Sequence, residues 1–171
     1  MHSICQALQR SSLLRVVWFL SGFVLLAGNA CAAADKIVYS HDLHKDGQIA
    51  KNSGVPLLVI FTSPDCTYCE RVIQDFLLPM EENPEYAHKV LIRRIQITDQ
   101  SPLLDWSGKP TTSKQYAAKL AIRMTPVVIA FLPDGSEAAE PLVGLGPEDY
   151  YGGYLDSAID SGLAKMHSRV H

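Results

Sequence analysis

The stretch LLVIFTSPDCTYCERVIQDFLLP, residues 57–79, decides the fold. Leu57 to Phe61 is an unbroken apolar run. Alternation would mark a strand wet on one side; continuity marks one buried on both faces, in the middle of a sheet covered by helices. Thr62-Ser63-Pro64-Asp65 follows as a turn. From Cys66 the apolar positions are Cys69, Val72, Ile73, Phe76 and Leu77, the stripe of one helical face. Both cysteines therefore fall in the first turn of a helix that leaves a central strand. Pro79 ends or kinks that helix, and Asn83-Pro84 is a further breaker.

Upstream, Lys36–Tyr39 is β-type, and 42–51 reads as a short helix capped by Asp42 and stopped by Gly54. Downstream, Val90–Ile97 (VLIRRIQI) is a strand, with Arg93 and Arg94 as edge or strand-end charges. Ser101–Ser113 reads as a loop containing Trp106, which either lines a partner surface or anchors the loop on the core. Thr111–Ile122 reads as a helix and Val127–Leu132 as a second apolar strand. Pro133-Asp134-Gly135-Ser136 signals a hairpin, Ala138–Val143 a weaker strand, and Gly144–Pro147 a turn. Glu148–Met166 closes the chain as a helix, with Tyr150, Tyr151 and Tyr154 on its core-facing side. The order β-α-β-α-β-α-β-β-α predicts an α/β fold, a central mixed sheet flanked by helices.

The first 32 residues read as a signal peptide. Arg10 and Arg15 precede the apolar run Val16–Ala27, no acidic residue occurs before Asp35, and GNACAAAD supplies small residues for cleavage after Ala32 or Ala34. An uncleaved anchor is the bland alternative. A lipid anchor at Cys31 is disfavoured by Gly28 three positions earlier. Residues 33–171 then form one domain, exported to the periplasm or a similar compartment. Loss of Arg10 and Arg15 lowers the basic count from 15 to 13 against 18 acidic residues, a net charge of −5. With no basic run beyond Arg93-Arg94 in the domain, a nucleic-acid role is excluded.

Cys5 and Cys31 leave with the leader, so Cys66 and Cys69 are the remaining pair. Export places them in an oxidising compartment. A C-x-x-C bridge closes too short a loop to remove much unfolded-chain entropy, which makes it a poor staple and a sensible redox pair. A zinc knuckle would need two further ligands. His41 and His44, lacking a third ligand, read as solvated surface, and His167 and His171 as a frayed tail. No metal or cofactor is expected beyond the Cys66–Cys69 disulfide.

The chain resembles the thioredoxin superfamily. The resemblance rests on the strand Leu57–Phe61, on Cys66-Thr67-Tyr68-Cys69 at a helix start, on Thr125-Pro126 before a strand, and on Gly144 near the last turn. More narrowly, SPDCTYC and MTPV look like the exported thioredoxin-like proteins of periplasmic disulfide reduction, cytochrome c maturation or sulfur oxidation. The resemblance implies that Cys66 is the nucleophile and Cys69 the resolving thiol. It makes Thr67 and Tyr68 tuners of the potential, and Pro126 a cis-proline beside them, with the Thr125 backbone pairing an incoming peptide. It further implies a disulfide reductase, acting as a monomer on protein thiols and disulfides and kept reduced by a membrane thiol carrier. The 60 residues from Cys66 to Pro126 leave no room for the helical insertion of the main periplasmic oxidants, and no dimerisation domain is read before the fold. A disulfide oxidant or a copper-handling protein is the alternative; copper carriers of this fold usually use C-x-x-x-C and a distant histidine.

Two positions depart from the family. Ile60 stands where a buried acid often serves the resolving thiol, leaving Glu70 or solvent as proton acceptor, and Gln74 stands where a kink proline is common. Asp65, directly before Cys66, has two readings: a carboxylate opposing thiolate formation, or a helix cap.

Overall fold

The structure, a computed structural model, describes residues 37–168. The leader, its cleavage sites, Cys5, Cys31 and His171 lie outside the described residues. The elements are α1 (Leu43–Ser53), β1 (Leu57–Thr62), α2 (Thr67–Val72), a π-helical turn (Ile73–Leu77), α3 (Leu78–Glu82), β2 (Leu91–Gln96), β3 (Pro102–Leu104), β4 (Pro110–Thr112), α4 (Ser113–Lys119), β5 (Val127–Phe131), β6 (Leu142–Val143) and α5 (Glu148–Ser168). One four-stranded sheet runs in the order β2-β1-β5-β6. β2 is parallel to β1, while β5 is antiparallel to both β1 and β6. This is the expected mixed sheet.

Every residue of β1 and β5 is buried, and the pleat explains why the runs are continuous. Successive side chains point to opposite faces. Leu58, Ile60, Val128 and Ala130 pack with Val72, Ile73 and Leu77 below the site and with Leu155 and Ile159 of α5. Leu57, Val59, Phe61, Val127, Ile129 and Phe131 pack with Leu43 and Ala50 of α1 and Tyr116 and Ala117 of α4. Two cores share one sheet, so both faces of the central strands must be apolar.

Local chemistry sets the helix ends. Asp42 accepts the Lys45 N–H at 2.8 Å, capping α1, and Gly54 ends it at φ +70°, a conformation that suits a residue without Cβ. Pro79 does not end its helix. The backbone widens to a π turn ahead of it, the Leu78 N–H reaches back to the Ile73 carbonyl, and Pro79 sits in the first turn of α3, where a missing N–H costs little.

Five further expectations are corrected. The Lys36–Tyr39 strand reduces, among described residues, to a parallel bridge from Tyr39 to Arg94. The supposed loop 101–113 contains the β3–β4 hairpin, with Leu103 opposite Thr111 and buried; prolines at strand ends in a two-stranded ribbon hid it. Ala138–Val143 pairs as a strand only at Leu142–Val143. On α5 Tyr151 alone of the three tyrosines faces the core, Tyr150 being 65% and Tyr154 47% exposed. His167, read as frayed, lies within α5.

Arg93 and Arg94 do sit on an edge strand, yet both are engaged. Arg93 pairs with Asp46 at 2.8 Å, and Asp46 also accepts the Ser40 hydroxyl at 2.7 Å. Trp106 proves to be a core anchor: its indole N–H donates to the Tyr116 hydroxyl at 2.6 Å, and its ring packs on Phe131.

Candidate active site

The site lies where β1 hands over to α2. Asp65 takes φ +55°, turning the chain so that Cys66, rather than Asp65, becomes the N-cap of α2. The cap reading of Asp65 is therefore corrected: its carboxylate is exposed, and the capping acceptor is sulfur. Cys66 Sγ accepts the Cys69 N–H at 3.2 Å. Cys66 is half-buried and Cys69 wholly buried. The two are joined as a disulfide, their Cα atoms 5.2 Å apart.

This asymmetry follows from the helix. Position 66 sits at the mouth of the turn, whereas position 69 is one turn in, on the stripe that faces the sheet. Thr67 and Tyr68 between them point outward, Tyr68 being 60% exposed.

Across from the pair, the Thr125–Pro126 peptide is cis and Pro126 is buried. The Thr125 hydroxyl donates to Cys66 Sγ at 3.4 Å. A second hydroxyl, Ser63 Oγ, stands 2.8 Å from Thr125 Oγ1. Sequence reasoning missed both contacts; it placed Ser63 in a turn and gave Thr125 only a backbone role. The Thr125 backbone makes no hydrogen bond among the described residues, while the Pro126 carbonyl is taken by the Gly144 N–H at 2.8 Å. Gly144 thus locks the proline loop, its φ of +76° tolerated because it lacks Cβ.

Ile60 stands at the position where the family often carries a buried acid, as read from the sequence. Ile60 is fully buried against apolar neighbours. Glu70 is held outward by Arg94 at 3.2 Å, while Arg94 Nε donates to the buried Thr62 hydroxyl at 3.0 Å and its guanidinium lies over the Tyr39 ring. On the other flank Arg71 pairs with Glu148 of α5 at 2.5 Å, and that hydrogen bond raises the guanidinium pKa further. His44, read as surface, spends its ring nitrogens on the Trp106 carbonyl and the Gln48 amide. No group of three His, Cys, Asp or Glu side chains able to hold a metal occurs among the described residues.

A disulfide at a helix start, with one cysteine half-buried and the other fully buried, beside a cis-proline loop on a mixed sheet, defines a thioredoxin-type protein. The thioredoxin-like domain family matches residues 43–159, and the chain belongs to it. It is a thioredoxin-like oxidoreductase carrying the Cys66–Cys69 pair. No curated protein matches the sequence. Solved structures similar to it include Trxlp from Edwardsiella tarda EIB202, at 18% identity over 69% of this chain and 95% of that one, TM-score 0.49. Another is Fasciola hepatica thioredoxin, at 15% over 72% and 97%, TM-score 0.48. The periplasmic thioredoxin SoxS from Paracoccus pantotrophus shares 23% over 62% and 97%, TM-score 0.42.

Proposed function

We propose that the protein is an exported disulfide reductase that uses Cys66 as nucleophile and Cys69 as resolving thiol. The observation carrying this is the half-buried Cys66 sulfur with two donors aimed at it, beside a fully buried Cys69. Reduced Cys66 is stabilised as thiolate by the Cys69 N–H, the Thr125 hydroxyl and the helix N-terminus. It attacks one sulfur of a partner disulfide, and the other partner sulfur leaves as thiolate and takes a proton from water. Cys69, deprotonated, then attacks the Cys66 sulfur of the mixed disulfide. The second partner thiolate departs, and the Cys66–Cys69 disulfide remains. Two electrons have passed to the partner, and an external dithiol, such as a membrane thiol carrier, restores the pair.

The unpaired Thr125 backbone supports recognition of an extended partner segment as an added strand. The chain between Cys66 and Pro126 supports reductase over oxidant, being used by α2, the π turn, α3, β2, the β3–β4 hairpin and α4 with no helical insertion. The leader read in residues 1–32 supports export, and no described helix is long and apolar enough to cross a membrane. Equilibration of the purified protein with dithiol and glutathione buffers tests the direction. The reading expects a potential below about −200 mV, toward thioredoxin at roughly −270 mV; a value near −120 mV would make it an oxidant.

A further inference from the structure

We propose that Ser63 is a positioning residue, acting through Thr125 to keep a proton donor on the Cys66 sulfur. The β1–β5 ladder carries the argument. Its last pair is Phe61 opposite Val127. Two residues further along that antiparallel register, Ser63 falls opposite Thr125, on the same face by the two-residue period. Pairing stops there because Pro126 has no N–H, and the two side chains continue the ladder as a hydroxyl–hydroxyl contact of 2.8 Å.

Each hydroxyl has one proton to give. Thr125 Oγ1 lies within reach of both Ser63 Oγ and Cys66 Sγ. The sulfur receives a donor only when the Thr125 proton points to it, which leaves the Thr125 lone pair to accept the Ser63 proton. Ser63 Oγ makes no other hydrogen bond among the described residues, so its proton is available for this. Without Ser63, Thr125 loses the donor that selects this orientation, and the thiolate form of Cys66 loses stabilisation. The inference rests on Cys66 being the reactive thiol of the proposed reductase.

The test is the pH dependence of Cys66 alkylation in the reduced, purified protein, followed by mass spectrometry of the Cys66 peptide and free of any protein substrate. Thr125→Val lowers the thiolate fraction on the acid side of the profile about tenfold and Ser63→Ala about threefold, the range expected when a hydrogen bond to a charged group is lost or loosened. Ser63→Thr retains the hydroxyl and keeps the wild-type profile. In the Thr125→Val background Ser63→Ala adds nothing, because its route to sulfur is gone. A wild-type profile for Ser63→Ala overturns the proposal, as does an equal shift in both backgrounds. Ser63→Gly makes the same comparison if Ser63→Ala does not fold. Insulin reduction is measured alongside. A wild type inert toward insulin that shows the Ser63 effect sinks the reductase reading and leaves the relay; an active one with a flat Ser63 effect sinks the relay alone.

Discussion

Replacing Arg93 by Leu tests whether the paired arginines on β2 are structural. In the folded chain Arg93 Nε meets Asp46 Oδ1 at 2.8 Å, with the two side chains only 13% and 11% exposed. Ser40 satisfies the other Asp46 oxygen at 2.7 Å. The substitution leaves a nearly buried carboxylate with one hydroxyl donor. Removing one member of a buried pair costs about 3–5 kcal/mol. Residual water contact puts this case at the low end, about 3 kcal/mol. With an m-value of about 1–3 kcal/mol/M for urea, the unfolding midpoint falls by roughly 1–3 M. Asp46→Asn together with Arg93→Leu removes both charges and recovers to within about 1 kcal/mol of wild type, about 2 kcal/mol more stable than Arg93→Leu alone. Urea unfolding followed by far-ultraviolet circular dichroism reads all three proteins. A loss under about 1 kcal/mol for Arg93→Leu, with no recovery in the double variant, refutes the reasoning and makes Arg93 a solvated edge charge.

Other substitutions probe the cores. Tyr151 is buried against Phe76, and its hydroxyl has no hydrogen-bond partner among the described residues; Tyr151→Phe therefore gains about 1 kcal/mol in urea unfolding. Burial pushes the Tyr151 and Tyr116 pKa values up to about 12. Folded protein thus holds these protons more tightly than the unfolded chain, whose tyrosines titrate near 10. This contribution is complete below pH ~10 and is lost as pH rises toward 12, so thermal melts should drop across that window, less steeply for Tyr151→Phe. At Gly135, φ is +85° and an added Cβ would collide with the Trp106 ring. Gly135→Ala should cost about 2–4 kcal/mol, with altered Trp fluorescence as the local readout.

What the sequence disclosed is what local pattern can carry. LLVIF and VVIAF announce burial on both faces by being continuous, and Cys66 and Cys69 announce a helix start by their three-residue spacing and the stripe that follows. The Asp42 and Gly54 caps were legible for the same reason, since each is a contact within one turn. The Ser63–Thr125 contact was not legible. It joins residues 62 apart through the β1–β5 register, and no signal near Ser63 points to it; aligning the two apolar runs antiparallel and extending the pairing past Phe61 would have found it. Periodicity also misassigned Tyr150 and Tyr154, because a run of neighbouring tyrosines does not say which one the helix phase turns inward. Asp65 lost its cap role to Cys66 because its positive φ moves the helix start by one residue, a backbone choice invisible in the residue types alone.

The central claim is that Cys66 carries disulfide exchange and Cys69 completes it. Reduction of insulin by dithiothreitol, catalysed by the purified protein and followed by turbidity, tests this with wild type, Cys66→Ser and Cys69→Ser side by side. The account predicts acceleration by wild type, none by Cys66→Ser, and a stalled mixed disulfide on Cys66 in Cys69→Ser, seen by non-reducing mass analysis. Acceleration by Cys66→Ser equal to wild type would contradict it.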